Sequence, residues 1–116
     1  KLDHQQTLRD HEAILALLDA LPTPFWLRDS RGRLEWVNKA YARTVDAPSV
    51  EAALRDEREF LSENARDAIA RQHQATPVFE QTLSAVVGGE RHMFAVTNVR
   101  ATDASAGLAI DRTETE

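Results

Sequence analysis

The stretch LLDALPTPFWLRDSRGRLEWVNKAY, residues 17–41, decides the fold. Its first residues close a run in which Leu8, Ile14, Leu15, Leu17, Leu18 and Leu21 recur at helical spacing, with Arg9, Asp10, Glu12 and Asp19 on the other side. Thr7 with Asp10 three residues on resembles a capping box, and Pro22 stops a helix. The spacing therefore predicts an amphipathic helix over about 8–20, with an apolar stripe wider than a lone surface helix requires. PFWLRD (24–29) and RLEWVN (33–38) are short aromatic-rich runs separated by Ser30-Arg31-Gly32. Asp29 and Gly32 are turn residues, so the pair predicts a β-hairpin. Asn38 suits a helix N-cap, because its side-chain oxygen can accept from the exposed amide of Ala40 or Tyr41. A helix over 39–45 follows.

Ser49 caps a short helix over 50–54, and the charged run RDERE (55–59) leads to Phe60-Leu61. Ser62 caps a clearer helix over 63–75, with Ala65, Ala68, Ile69 and Gln72 inward and Pro77 beyond it. The pattern then changes period. FEQTLSAVV (79–87) puts Phe79, Leu83, Ala85 and Val87 on one face, and Gly88-Gly89 is a two-residue hairpin turn because both glycines tolerate positive φ. Strands over 91–101 and 107–113 follow, joined by a turn over 102–106. Five antiparallel strands with helices between the second and third make an α+β domain, one sheet with helices on a face. The expected organisation is a polar leader (1–7), the amphipathic helix (8–21), a core (22–113) and the start of a linker (114–116).

At 116 residues the chain has room for one compact domain, which folds without disulfides or metal. No cysteine is present, which excludes a disulfide scaffold, a Cys-ligated metal and thiolate chemistry. A formal charge of −5 disfavours a phosphate-binding surface, so no nucleic-acid partner is expected. The longest apolar stretch, Ile14 to Leu21, contains Asp19 and is far short of the roughly 20 residues that span a bilayer. No signal peptide is visible and the chain starts at Lys1. It reads as a cytoplasmic fragment of something longer.

The residues 17–41 also resemble the start of a PAS domain: a leucine-rich helix, a Pro turn, a strand ending in Asp, a Gly turn, and a strand closing on Val37-Asn38. The end of the chain, GLAIDRTE, is similar to the last strand of that family and its closing Asp-x-Thr motif, here Asp111-Arg112-Thr113. The resemblance runs from about Leu8 to Glu114. It implies a non-catalytic regulatory sensor or interaction module of a larger signalling protein, foremost a bacterial two-component sensor histidine kinase. The adjacent partner would be a kinase or other output domain of the same chain.

The resemblance further implies a small pocket between sheet and helices, lined by Phe25, Leu27, Val37, Tyr41, Val45, Ile69, Phe94, Val96, Leu108 and Ile110, unless these side chains simply fill the core. An occupied pocket would make the domain a small-molecule or cofactor sensor. Leu34 and Trp36 share one face of their strand, so if Val37 faces the pocket Glu35 does too. In haem-binding members a histidine on the long helix ligates iron. Here that position falls near Ala65, and His73 reads as a solvated helix-end histidine near the last carbonyls, so no haem is expected. Flavin adduct chemistry is excluded by the missing cysteine, and no cofactor is assigned. His11-Glu12 is similar to a phospho-acceptor box but lacks its proline, and His4 and His92 are too dispersed for a metal site. Asp29, Asp46 and Glu35 could pair as acid and base, but turn and helix-end roles explain the two aspartates, and no catalysis is expected. Leu8, Leu15 and Leu18 approximate an a/d seam, and Ile14, Leu17 and Leu21 an adjoining stripe. One stripe docks on the domain's own sheet while the other forms a homodimer, or both lie on the sheet. Asp111 and Thr113 are expected to transmit movement of the sheet to the helix that follows.

Overall fold

The computed structural model describes residues 4–113. Its elements run α1 (His4–Ala20), β1 (Phe25–Asp29), β2 (Leu34–Val37), α2 (Lys39–Thr44), α3 (Val50–Arg55), α4 (Glu63–Gln72), β3 (Val78–Val87), β4 (Glu90–Arg100) and β5 (Ala104–Asp111). The five antiparallel strands lie in the order β2-β1-β5-β4-β3, so the fifth strand in sequence sits at the centre. The three inserted helices follow β2, and their side chains close over one face of the sheet. The linker residues 114–116 lie outside the described residues.

Local chemistry sets the boundaries. Asn38, Ser49 and Ser62 each adopt extended backbone and accept a hydrogen bond from the amide three residues on, at Tyr41, Ala52 and Ala65. Asp29 accepts from the amides of Arg31 (2.8 Å) and Arg33 (3.0 Å), which winds the turn between β1 and β2. Gly88 and Gly89 have φ of 58° and 81°, as a tight hairpin between β3 and β4 requires.

Two elements start three or more residues earlier than the sequence reading has them. α1 starts at His4, a turn before Thr7, because Gln5, Gln6, Leu8 and Arg9 are all good helix formers. β5 starts at Ala104, inside the stretch read as a turn. Ala104-Ser105-Ala106 has little strand preference of its own. It is held by ladders on both sides, with Ala104 opposite Asp29 and Ser105 opposite both Arg28 and Arg100.

The core lies between the sheet and α2–α4. Trp26, Tyr41, Phe60 and Phe94 form a chain of tilted and edge-on ring contacts with centroids 4.8–6.4 Å apart. The Tyr41 hydroxyl donates to the Arg58 carbonyl (2.8 Å) and accepts from the Phe60 amide (3.0 Å). Burial, aided by the Glu59 charge, pushes its pKa up to about 12.

Trp26 also dictates its neighbour. It sits opposite Gly107 in the β1–β5 ladder, and a Cβ at that glycine would lie 2.6 Å from the indole and 2.6 Å from the Asn98 amide. Gly107→Ala is therefore expected to destabilise the domain by about 1–3 kcal/mol through overpacking. Urea denaturation checks this; an unchanged midpoint would mean that the indole moves aside at no cost.

Candidate functional site

Alternation along the strands sorts the expected pocket residues into two groups. Val37, Tyr41, Ile69, Phe94 and Val96 are buried under the helices, with Val45 packed at their edge. Phe25, Leu27, Leu108 and Ile110 are on the opposite face of the sheet, since Trp26, Arg28, Gly107 and Ala109 take the inward positions between them. The reason is volume: Trp26 occupies the space over β5, so β5 turns its small residues inward and its large ones outward. The outer face is uncovered, with Met93, Val99 and Ile110 each more than two-fifths exposed.

The reading of β2 is corrected by a bulge. Trp36 pairs with Leu27, but Leu34, not Glu35, pairs with Arg28. Leu34 joins the core and Trp36 packs edge-on against Phe25 on the outer face, so the two do not share a face. Glu35 is exposed, and no carboxylate enters the interior beside Val37.

His73 is likewise not solvated. It is 7% exposed, with Nδ1 3.0 Å from the Thr76 carbonyl and Nε2 2.8 Å from Oδ1 of buried Asn98. Both ring nitrogens are engaged. Ala65, the position compared with a haem ligand, is in the first turn of α4.

The polar groups that sequence reasoning passed over gather near His73. Arg28, two residues from Trp26 and on the same face, is buried and donates to Glu59 through Nη1 (3.0 Å) and Nη2 (2.7 Å). Glu59 belongs to the RDERE run, which reads as a solvated charge stretch until β1 supplies its partner. Asn98 alternates with Phe94 and Val96 along β4, and that period of two is the signal by which the sequence could have placed it inward. Beside these residues a cleft of about 380 Å³ opens between α4, the β1–β2 turn and the β4–β5 connection. Leu61, Ile69 and Ala70 give it an apolar wall, His73 and Asn98 a buried polar one, and Arg28, Arg31, Arg66 and Arg100 surround it.

At the other end of the sheet the exit of β5 is fastened to β4. The Arg112 amide donates to the Met93 carbonyl (2.8 Å), and the Met93 amide donates to Thr113 Oγ1 (2.8 Å). Asp111 accepts from the Thr113 amide at Oδ1 (2.8 Å) and meets His92 Nδ1 at Oδ2 (2.9 Å). The expected pair Asp111 and Thr113 is thus joined by His92, which stacks on Phe94.

Of the expected dimer residues, Leu8 is exposed while Leu15 and Leu18 are half-buried; Ile14 and Leu17 are exposed at 57% and 62%. Neither stripe of α1 lies along the sheet. The helix is held at its C-terminal end instead, where the Leu18 carbonyl accepts from Asn38 Nδ2 (2.7 Å) and Asp19 accepts from the Lys39 amide (3.0 Å). His11 is exposed, and Asp29 and Asp46 occupy turns. Among the described residues no helix is long and apolar enough to cross a membrane.

The model of the PAS fold family matches residues 12–109. The chain belongs to that family, whose domains are regulatory modules and generally non-catalytic. Solved structures agree on the fold. A PAS domain from a two-component sensor histidine kinase superposes with a TM-score of 0.72 at 9% identity, over 91% of this chain and 99% of that one. A domain of a sensory box sensor histidine kinase/response regulator from Geobacter sulfurreducens gives 0.70 at 15% identity, over 94% and 100%. The PAS domain of BvgS from Bordetella pertussis gives 0.62 at 21% identity, over 91% and 88%. No curated protein sequence matches the chain.

The bonds at the β5 exit hold the Asp111 carboxyl below the ordinary aspartate range, foremost through the Thr113 amide, then through the Thr113 hydroxyl and His92. A carboxyl depressed in the folded state stabilises it above the unfolded pKa, and that contribution is lost as pH falls through the folded one. An NMR titration of the Asp111 side-chain carbonyl should therefore have a midpoint below that of a free aspartate. Replacing His92 by Ala should raise it, and a midpoint already at the free value would show that these bonds do not persist in solution.

Proposed function

We propose that this PAS domain is a cytoplasmic regulatory module of a two-component sensor histidine kinase, which pairs two copies of the chain and passes conformational change to the output domain. The observation that carries the reading is the fastened exit of β5. Arg112 and Thr113 are bonded to Met93, and Asp111 to His92, so the direction in which the chain leaves is set by β4. A rotation of β4 relative to β5 has to change that direction, and with it the orientation of whatever follows.

Pairing is supported by the surfaces left without cover. Leu8, Ile14 and Leu17 are exposed along α1, and the outer face of the sheet exposes Met93, Val99 and Ile110. A second copy, docking through α1, would remove apolar surface of this kind from water on both molecules. The reading assigns no resident cofactor. It is supported by the rings of Trp26, Tyr41, Phe60 and Phe94, which fill the interior, and by the engaged ring nitrogens of His73.

Two measurements test the parts separately. Light scattering should give a dimer that Leu17→Glu weakens by about 2 kcal/mol or more without altering the circular dichroism spectrum, since Leu17 touches little of its own domain. A wild-type monomer at high concentration would overturn the pairing. In the full-length protein, Asp111→Ala should change the output activity while the domain stays folded. An output indifferent to Asp111→Ala and to Thr113→Val would remove the exit from signal transmission.

A further inference from the structure

We propose that the cleft beside α4 binds a small organic anion, a carboxylate carried on an apolar or aromatic body. The proposal goes beyond pairing and transmission and stands without them. It begins with a local reversal of charge. The chain as a whole has 19 acidic and 14 basic residues, yet four arginines from three separate parts of the fold border this one cleft, against two aspartates.

Their partners distinguish them. The Arg28 charge is matched by Glu59, while Asp29, which accepts from the amides of its own turn through Oδ1, and exposed Asp103 keep their charges at the rim. Arg31 and Arg100 make no side-chain hydrogen bond or ion pair among the described residues. Arg66 gives Nε to the Leu61 carbonyl at 3.3 Å and stands 3.7 Å from Glu59, which is already taken by Arg28. Arg100 is thereby left without a carboxylate, and Arg31 and Arg66 share theirs with Arg33 and Arg28, so all three can turn a guanidinium group to a ligand. Each offers a planar fork that fits a carboxylate.

The lining decides between an organic and an inorganic anion. Leu61 and Ile69 reach the cleft from the hydrophobic core, and Ala70 continues their surface. An ion of phosphate size would meet the arginines and leave this apolar wall wet. A ring or branched chain would cover it, and a volume of about 380 Å³ accommodates a body of that size. His73 and Asn98, bonded to each other at 2.8 Å, form the rigid polar side of the same space.

The test uses benzoate, its neutral isostere benzamide and inorganic phosphate as probes of the ¹⁵N-labelled domain. Benzoate should move the amide resonances of residues 66–73 and 101–105 saturably. Benzamide and phosphate should bind roughly tenfold more weakly, and Arg66→Gln and Arg100→Gln should each weaken benzoate by roughly tenfold. Arg100 is exposed, so its replacement leaves folding intact, and an unchanged urea midpoint verifies this. No saturable shift with benzoate overturns the site. Equal binding of benzamide, or indifference to both arginine variants, overturns its basis in charge. Phosphate binding as tightly as benzoate overturns the organic ligand in favour of a simple anion site. None of these failures touches the dimer or the output measurements, which address other surfaces.

Discussion

One buried amide ties the beginning of this domain together. The side chain of Asn38 is fully enclosed and uses its whole hydrogen-bonding capacity. Its oxygen accepts from the amides of Phe25 (3.0 Å) and Tyr41 (2.9 Å), and its nitrogen donates to the carbonyls of Leu18 (2.7 Å) and Thr23 (2.9 Å). The last turn of α1, the connection to β1, the first residue of β1 and the start of α2 therefore meet at one group. Aspartate would keep the two acceptor bonds but face two carbonyls with no donor. Leucine would leave four buried backbone groups unmatched. The angle at which α1 leaves the domain, and so the exposure of its leucines, follows from this junction.

The same economy operates across the sheet. Trp26 fills the interior above β5, which is why Gly107 and Ala109 are its inward residues and Leu108 and Ile110 its outward ones. The large residues displaced to the far side create the apolar outer face that a second copy is proposed to cover. Packing on one face of the sheet thereby determines what the other face offers to partners.

Much of this was legible in the sequence. The three caps, the Asp29-Gly32 turn, the Gly88-Gly89 hairpin and the order of elements depend on local chemistry, and local chemistry is what a sequence displays. The Asn38 cap was readable for the same reason, but its bonds to Leu18 of α1 and to Thr23 of the connection were not, because they join residues 20 and 15 positions apart. The pocket residues on β1 and β5 fall on the outer face because the resemblance implied a lining without fixing which way each strand faces, and the volume of Trp26 sets that. The strand Ala104-Ser105-Ala106 was missed because both of its neighbours, not its own residues, hold it extended. His73 was read from its place at a helix end; only the fold brings Asn98, 25 positions later, against its ring. The arginines of the cleft come from sites that no spacing connects.

The central place of β5 has a consequence for how the domain comes into being. β1 pairs with β2, and β3 with β4, through short connections, so each hairpin can form early from neighbouring residues. The two hairpins share no ladder with each other; β5 alone pairs with both. Until residues 104–111 arrive, each presents an unpaired strand edge, β1 on one and β4 on the other. Completion of the sheet therefore waits on its fifth strand, which closes both edges in a single step.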